Sequence, residues 1–223
     1  MSRTRTEPVT GAAAPLQDER QPVEIVRSET VFEGRVWNLR RDEFVYGEHT
    51  IVRDYVDHTG AVAVLAMDDE ERVLLIRQYR HPVGFRDWEI PAGLLDVPGE
   101  DPLEAARREL AEEADLTAQR WHVLSDFFTS PGGSDEAIRV YLARDLAATA
   151  EVFDRTEEEA DIEVRWVPLD EVVDAVLARR LQNPSLVIAV LAASAGRQRD
   201  WATLGDADAA WPGRSRPVGS LSE

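Results

Sequence analysis

The sequence predicts an α/β protein preceded by a small antiparallel β unit. Segments 23–31 and 36–56 are rich in β-branched and aromatic residues, which is typical of antiparallel strands. The apolar runs 60–67 and 72–79 are separated by four acidic residues and predict a central hairpin in a buried sheet. Asp101 is followed by proline and then by apolar residues at helical spacing, which predicts a helix.

The end signals of this helix are specific. Asp101 is the residue type that caps a helix start, and Pro102 suits the first turn. Asp115 is expected near the end, because Asp tolerates the left-handed backbone conformation that ends many helices. One face is expected to be core, formed by Leu103, Ala106, Leu110 and Ala114.

The remaining elements follow from the same signals. Strands are predicted at 88–90, 121–128, 137–142 and 162–167, and helices at 169–180 and 184–195. The polar start is predicted to be a disordered arm, and the Gly- and Pro-containing end a loosely packed tail. We therefore divide the chain into an arm (1–22), an N-terminal β unit (23–58), a main domain (59–195) and a tail (196–223).

Composition limits the function. The 223 residues carry a formal net charge of −18, which argues against nucleic acid and anionic membranes as partners. Cysteine and lysine are both absent, which excludes thiolate metal sites, a Walker-type phosphate loop and Schiff-base chemistry. Neither a secretory signal nor an apolar run of ~20 residues is visible, so we expect a cytoplasmic protein.

Acidic residues are concentrated between Gly93 and Leu116. Crowded carboxylates repel one another on a helix, and this density indicates that a divalent cation neutralises them. Glu109 and Glu113 lie about 40° apart around a helix axis, so both can reach one cation. Taken alone, the pattern is also typical of a solvated helix face.

Arg108 lies within this acidic segment. Glu104 and Glu112 are each four residues from it, so we expect Arg108 to sit between these two carboxylates and to hold them in place. Glu112 can therefore either join a metal site or pair with Arg108.

The whole segment resembles the signature of the Nudix hydrolases, G-x5-E-x7-R-E-U-x-E-E-x-G-U, in which U is a bulky aliphatic residue. Two departures are visible: six residues instead of five precede Glu100, and Asp115 replaces the second glycine. Neither affects a presumed metal ligand. The matching residues are Gly93, Glu100, Arg108, Glu109, Leu110, Glu112, Glu113 and Leu116.

The resemblance implies an α/β/α sandwich with a mixed sheet that hydrolyses a nucleoside diphosphate linked to another moiety. Mg²⁺, or alternatively Mn²⁺, is the implied cofactor. Glu109 and Glu113 correspond to the principal metal ligands, with Glu112 assisting and also a catalytic candidate. Ala92 is implied to contribute its carbonyl oxygen, and Arg108 to orient the carboxylates.

Flanking segments 77–82, 88–93 and 130–136 resemble the ADP-ribose pyrophosphatases within this family. That resemblance implies hydrolysis of ADP-ribose to AMP and ribose 5-phosphate by a homodimer joined through the N-terminal β unit. The alternatives are a diphosphatase for GDP-mannose, NADH or flavin adenine dinucleotide, and a non-catalytic ADP-ribose sensor. The intact carboxylates and the absence of a basic DNA-binding segment disfavour the sensor.

The same resemblance implies a set of substrate-binding residues. By residue type alone, the arginines are equally typical of surface ion pairs, and Ser-Pro-Gly-Gly of an ordinary turn. Trp37 is a possible adenine-stacking residue, whereas His49, His58, His81 and His122 lack metal-ligand spacing and are expected to be structural or exposed. The predicted substrate-binding residues are Arg53, Arg80, Glu89, Leu94, Ser130, Pro131, Gly132 and Glu136.

The general base is expected in the acidic segment 151–161. Such a run alone is typical of a solvated loop. The position of this segment resembles that of a mobile loop in the ADP-ribose pyrophosphatases, where a glutamate is the implied general base. The resemblance favours Glu159 as the base, with Glu158 as the alternative.

Overall fold

The computed structural model describes residues 15–150, 153 and 162–214. Its first sheet is antiparallel, in the order β1-β2-β3, and forms the predicted N-terminal unit. Gly47 lies in the tight turn between β2 and β3, with a φ of +62° that glycine adopts without strain. The strands are β1 (Ile25–Phe32), β2 (Asn38–Tyr46) and β3 (His49–Asp57).

A five-stranded mixed sheet forms the centre of the main domain, in the order β11-β8-β9-β4-β7. Strands β4 and β9 run parallel and the other pairs run antiparallel, so the predicted mixed sheet is confirmed. The strands are β4 (Ala61–Ala66), β7 (Ala92–Leu94), β8 (Leu116–Phe128), β9 (Ala137–Ala148) and β11 (Gly205–Asp206).

A third sheet has the order β10-β5-β6, with β5 at Arg72–Arg80, β6 at Phe85–Glu89 and β10 at Glu163–Pro168. The predicted hairpin between 60–67 and 72–79 is wrong. Strands β4 and β5 belong to different sheets and meet at their connecting turn, where the Asp68 amide donates to the Arg72 carbonyl at 3.0 Å and an isolated bridge joins Met67 to Val73. Both edges of β4 are taken, by β7 and by β9, so β5 pairs with β10 and β6 instead.

Helices cover both faces of the central sheet. On β4, Val62 and Val64 belong to the apolar cluster that contains Leu110 of α1 (Pro102–Ala114). Ala63 and Leu65 belong to the opposite cluster, with α2 (Leu169–Leu177) and α3 (Pro184–Arg197). This layering confirms the α/β/α sandwich. No helix in the described part of the chain is long and apolar enough to cross a bilayer.

Both predicted ends of α1 are confirmed. The Asp101 side chain accepts a hydrogen bond from the Leu103 amide at 2.8 Å, and Pro102 is the first helical residue. Asp115 ends the helix in the left-handed conformation, with φ 55° and ψ 34°. The helix that carries the acidic residues is therefore fixed at both ends by local chemistry.

The prediction of a loosely packed tail is wrong for the described residues after Gly196. Strand β11 pairs with β8, and Trp211 lies under the guanidinium of Arg139, 4.9 Å from its ring centroid. The buried Arg139 also donates to the carbonyl oxygens of Ala209 and Ala210. The Gly and Pro content hid this packing, because the partners lie more than 60 residues away in the chain.

Candidate functional site

Arg108 holds three carboxylates at the start of the site. Its Nε and Nη2 donate to the two oxygens of Glu100 at 3.0 and 3.1 Å, and Nη1 donates to Glu109 at 2.6 Å and Glu112 at 3.2 Å. These hydrogen bonds from Arg108 hold the pKa of Glu100 below its usual range. Arg108 therefore contacts three of the carboxylates of the acidic segment.

The prediction that Glu104 pairs with Arg108 is wrong. Glu104 instead pairs with Arg107 at 2.6 Å, and Glu100 takes its predicted place. Glu100 lies just before the helix, and the loop that carries it folds back toward Arg108. Spacing along the helix alone therefore could not identify this pair.

Glu113 joins the acidic helix to the central sheet. Its side chain is buried, at 5% exposure, and its Oε2 accepts a hydrogen bond from the Ala92 amide at 2.9 Å. Ala92 begins β7, which packs against α1. A buried carboxylate is costly unless hydrogen-bonded, so this contact fixes Glu113 beside the residue whose carbonyl is the predicted metal ligand.

Gly93 allows β7 to approach the helix closely. A Cβ atom at this position would lie 1.9 Å from Oε1 and 2.0 Å from Cδ of Glu109. Any other residue type would therefore displace the Glu109 carboxylate. This steric limit is the physical reason for glycine at the start of the acidic segment.

The donor set suits a hard cation. Four carboxylates, those of Glu100, Glu109, Glu112 and Glu113, lie around a single guanidinium or beside it on the same helix. Oxygen ligands of this kind are those that Mg²⁺ prefers. Within the described ranges, no three carboxyl or imidazole side chains converge as metal ligands do, because these carboxylates face Arg108 and the Ala92 amide.

Arg80 lies at the end of β5 and is held by Glu89 of β6. Its Nε and Nη2 donate to the two Glu89 oxygens at 2.7 and 2.6 Å. Glu89 is 3% exposed, whereas the Arg80 side chain is partly exposed. In this arrangement Glu89 contacts Arg80 through both carboxylate oxygens. Since Glu89 is only three residues before Ala92, the pair lies close in the chain to the acidic site.

The predicted Ser130–Glu136 loop closes a tight turn before β9. The Ser130 carbonyl accepts from the amides of Gly133 and Ser134, both at 2.9 Å, which leaves Pro131 and Gly132 exposed at the tip. At the end of the turn, Glu136 Oε2 accepts from Thr129 Oγ1 at 2.6 Å.

The sheet brings this loop beside the acidic site. Gly60 accepts a backbone hydrogen bond from Leu95 at 3.0 Å, and its ideal Cβ would lie 3.3 Å from the Ala137 carbonyl. The end of β7 and the start of β9 therefore flank the start of β4. Half-buried Leu94 pairs with Ala61 at the same edge.

Two predicted residues lie on or near the N-terminal sheet. Arg53 is exposed on β3 and its Nη1 donates to the Val52 carbonyl at 2.8 Å, so within this chain it is not brought to the acidic helix. Trp37 is exposed, with its ring centroid 6.4 Å from that of His58. The candidate bases Glu158 and Glu159 lie outside the described residues.

His58 and Thr129 both contact the candidate residue Glu136, and sequence reasoning missed both contacts. His58 Nε2 lies 3.4 Å from Glu136 Oε1, although the two residues are 78 positions apart. Strand β3 ends next to the loop, and this proximity has no signature in the local sequence. For Thr129, the only signal was its position next to the Ser-Pro-Gly turn.

Comparison with known proteins identifies the family of the chain. A model of the NUDIX domain matches residues 57–187, which contain the acidic helix, Arg80 and the loop. The chain belongs to the Nudix family. The chain is therefore a Nudix hydrolase, and enzymes of this family generally use divalent metal ions.

Individual relatives of this Nudix hydrolase include ADP-ribose pyrophosphatases. The chain is 44% identical to the ADP-ribose pyrophosphatase of Mycobacterium tuberculosis, covering 77% of this chain and 83% of that protein. It is 36% identical to the ADP-ribose pyrophosphatase of Bacillus subtilis, covering 74% and 89%. A solved structure described as an ADP compounds hydrolase superposes with a TM-score of 0.68 over 82% of this chain and 98% of its own, at 22% identity, and shows the shared fold.

Proposed function

We propose that this Nudix hydrolase cleaves the diphosphate of ADP-ribose to AMP and ribose 5-phosphate with Mg²⁺, Mn²⁺ being the alternative ion. The 44% identity to an ADP-ribose pyrophosphatase over most of both chains carries the proposal. The site geometry supports it, since the carboxylates of α1, Arg80 and the Ser130–Glu136 loop lie around neighbouring strand ends.

The reaction adds one water across the P–O–P linkage. The water oxygen bonds to one phosphorus, the bridging oxygen leaves on the other phosphate, and the water loses a proton. Glu109, Glu113, Glu112 and the Ala92 carbonyl would hold the cation, which supplies charge neutralisation at the phosphates and acidifies bound water. Arg80, held flat by Glu89, presents its guanidinium to a phosphate oxygen.

Ribose recognition is assigned to the loop. The Glu136 carboxylate accepts hydrogen bonds, which suits the hydroxyl groups of a ribose. Ser130, Pro131, Gly132 and Leu94 would line this side of the site. Arg53 is exposed on β3 and would act on a site formed with a second copy of the chain.

The decisive assay measures AMP release from ADP-ribose with and without Mg²⁺. We expect release only with the ion, and faster release from ADP-ribose than from GDP-mannose, NADH or flavin adenine dinucleotide at equal concentration. Preference for one of these three would shift the assignment to that substrate. Binding of ADP-ribose with no product under any divalent ion would support the sensor instead.

Glu159 is proposed as the general base, with Glu158 as the alternative. A positioned carboxylate contributes on the order of 10²-fold to rate as a proton acceptor. We therefore expect Glu159→Gln to lower kcat by about 10²-fold with little change in KM, and Glu158→Gln to have a much smaller effect. Steady-state kinetics on both variants measure this, and a reversed order would move the role to Glu158.

The N-terminal sheet is proposed to form a homodimer. Its apolar side chains Val26, Phe32, Tyr46 and Val52 are exposed in the single chain, which is unfavourable in water. Sedimentation of the intact protein is expected to give about twice the chain mass of 25.0 kDa. A species that stays at the mass of one chain across micromolar concentrations would refute the dimer.

A further inference from the structure

The protonation pattern of His58 is set by the backbone. The Gly60 amide donates to His58 Nδ1 at 3.0 Å. An amide N–H can only donate, so Nδ1 must carry the lone pair, and in the neutral ring the proton resides on Nε2. The ring therefore presents a donor, not an acceptor, on its far side.

That nitrogen lies close to the Glu136 carboxylate. His58 Nε2 lies 3.4 Å from Glu136 Oε1, while Thr129 Oγ1 donates to Oε2 at 2.6 Å. The His58 side chain is 7% exposed and the Glu136 side chain 23%, so the histidine is buried whereas the carboxylate is partly open to solvent. Each carboxylate oxygen has two acceptor positions, so Glu136 retains capacity for a ligand hydroxyl.

The backbone around this pair is fixed. The Val56 amide donates to the Gly133 carbonyl at 2.9 Å, and the Asp135 amide donates to the Val56 carbonyl at 3.3 Å. The His58 amide also donates to the Asp135 carboxylate at 2.8 Å. The end of β3 and the Ser130–Glu136 loop are therefore one hydrogen-bonded unit, which sets the distance between His58 and Glu136.

We propose that His58 is a positioning residue that directs the Glu136 carboxylate toward a ribose hydroxyl of the substrate. The inference rests on the proposed function, because it assumes that Glu136 contacts the ribose. The 3.4 Å separation is longer than a strong hydrogen bond, and such contacts commonly tighten when a ligand is bound. His58 acts through Glu136 and does not touch the reacting phosphates.

Two isosteric replacements separate the two nitrogens of His58. His58→Gln extends an amide to the position of Nε2 and keeps a donor toward Glu136. His58→Asn places an amide oxygen near Nδ1, so it keeps the acceptor for Gly60 but loses the donor. We expect His58→Asn to raise KM for ADP-ribose about 10-fold, the equivalent of one charge-assisted hydrogen bond, with kcat nearly unchanged. His58→Gln is expected to stay within about threefold of the native KM.

Binding is measured in parallel by calorimetry with ADP-ribose in the absence of divalent ions, so that the inference does not depend on turnover. Thr129→Val, which removes the other donor to Glu136, is expected to weaken binding like His58→Asn. Thermal melting of each variant shows whether it is folded. Equal Kd and KM values for the folded Asn and Gln variants would overturn the positioning role, as would native Kd and KM values in the folded His58→Asn variant.

The two proposals fail in different ways. Native protein that binds ADP-ribose without releasing AMP contradicts the hydrolase function, while the Asn-to-Gln difference in Kd still tests His58. Native protein that releases AMP but shows no such difference contradicts only the role of His58. Native protein that does not bind ADP-ribose contradicts both.

Discussion

Replacing Glu113 by Gln is expected to lower AMP release from ADP-ribose by on the order of 10³-fold, since Glu113 is a proposed metal ligand and loss of such a ligand removes several kcal/mol of transition-state stabilisation. The amide oxygen of Gln can still accept the hydrogen bond from Ala92, so the anchor of α1 to β7 is retained. The substitution therefore removes the charge and keeps the shape. Steady-state kinetics over a range of Mg²⁺ concentrations measure the loss, and circular dichroism tests whether the fold is retained.

Glu104→Gln is the matched control on the same helix. Glu104 is exposed and pairs only at the surface with Arg107, so its charge is screened by solvent. We expect its kcat and its dependence on Mg²⁺ to equal those of the native protein. Similar losses in the two variants would mean that the helix contributes general negative charge instead of a specific ligand.

Gly93→Ala is expected to lower turnover of ADP-ribose by on the order of 10³-fold without unfolding the protein. The new methyl group would overlap the Glu109 carboxylate, at 1.9 Å from Oε1, and the flexible side chain must move away. The overlapping atoms are the end of a long side chain, so the cost falls on the position of Glu109 instead of on the backbone. Turnover and the midpoint of thermal unfolding are measured on the same preparation.

Gly47→Ala is the contrasting glycine variant. Gly47 has a φ of +62° and no atom within 4 Å of its ideal Cβ, so alanine strains the backbone but touches nothing. It is expected to lower stability by ~1 kcal/mol and to leave kcat unchanged. Native turnover in Gly93→Ala would contradict the proposed role of Glu109 as a metal ligand.

Local chemistry made the acidic helix predictable. The two ends of α1 are set by local residues. Asp101 and Pro102 begin the helix and Asp115 ends it, so the limits of the helix can be predicted from the neighbouring sequence. The spacing of Glu109 and Glu113 follows from helix geometry for the same reason.

Pairing between distant segments was not predictable. Strand β4 is apolar throughout and β5 is apolar from Val73 to Ile76, so these side chains do not determine which strands pair, and the expected hairpin is replaced by two sheets. Glu100 displaced Glu104 as the partner of Arg108 because a loop, which has no fixed period, returned to the helix. The packed end of the chain was missed because its contacts are made with Arg139 and β8.

Residue types and their short-range spacing already specified the Nudix family, the acidic helix and its carboxylate face, since these depend on interactions within a few turns of chain. Folding in three dimensions selected the partners: Glu89 for Arg80, Glu100 for Arg108, and His58 for Glu136. The difference is physical. Helix limits are set by local backbone hydrogen bonds, whereas side-chain pairs between distant residues form only where sheet order and packing bring the strand ends together.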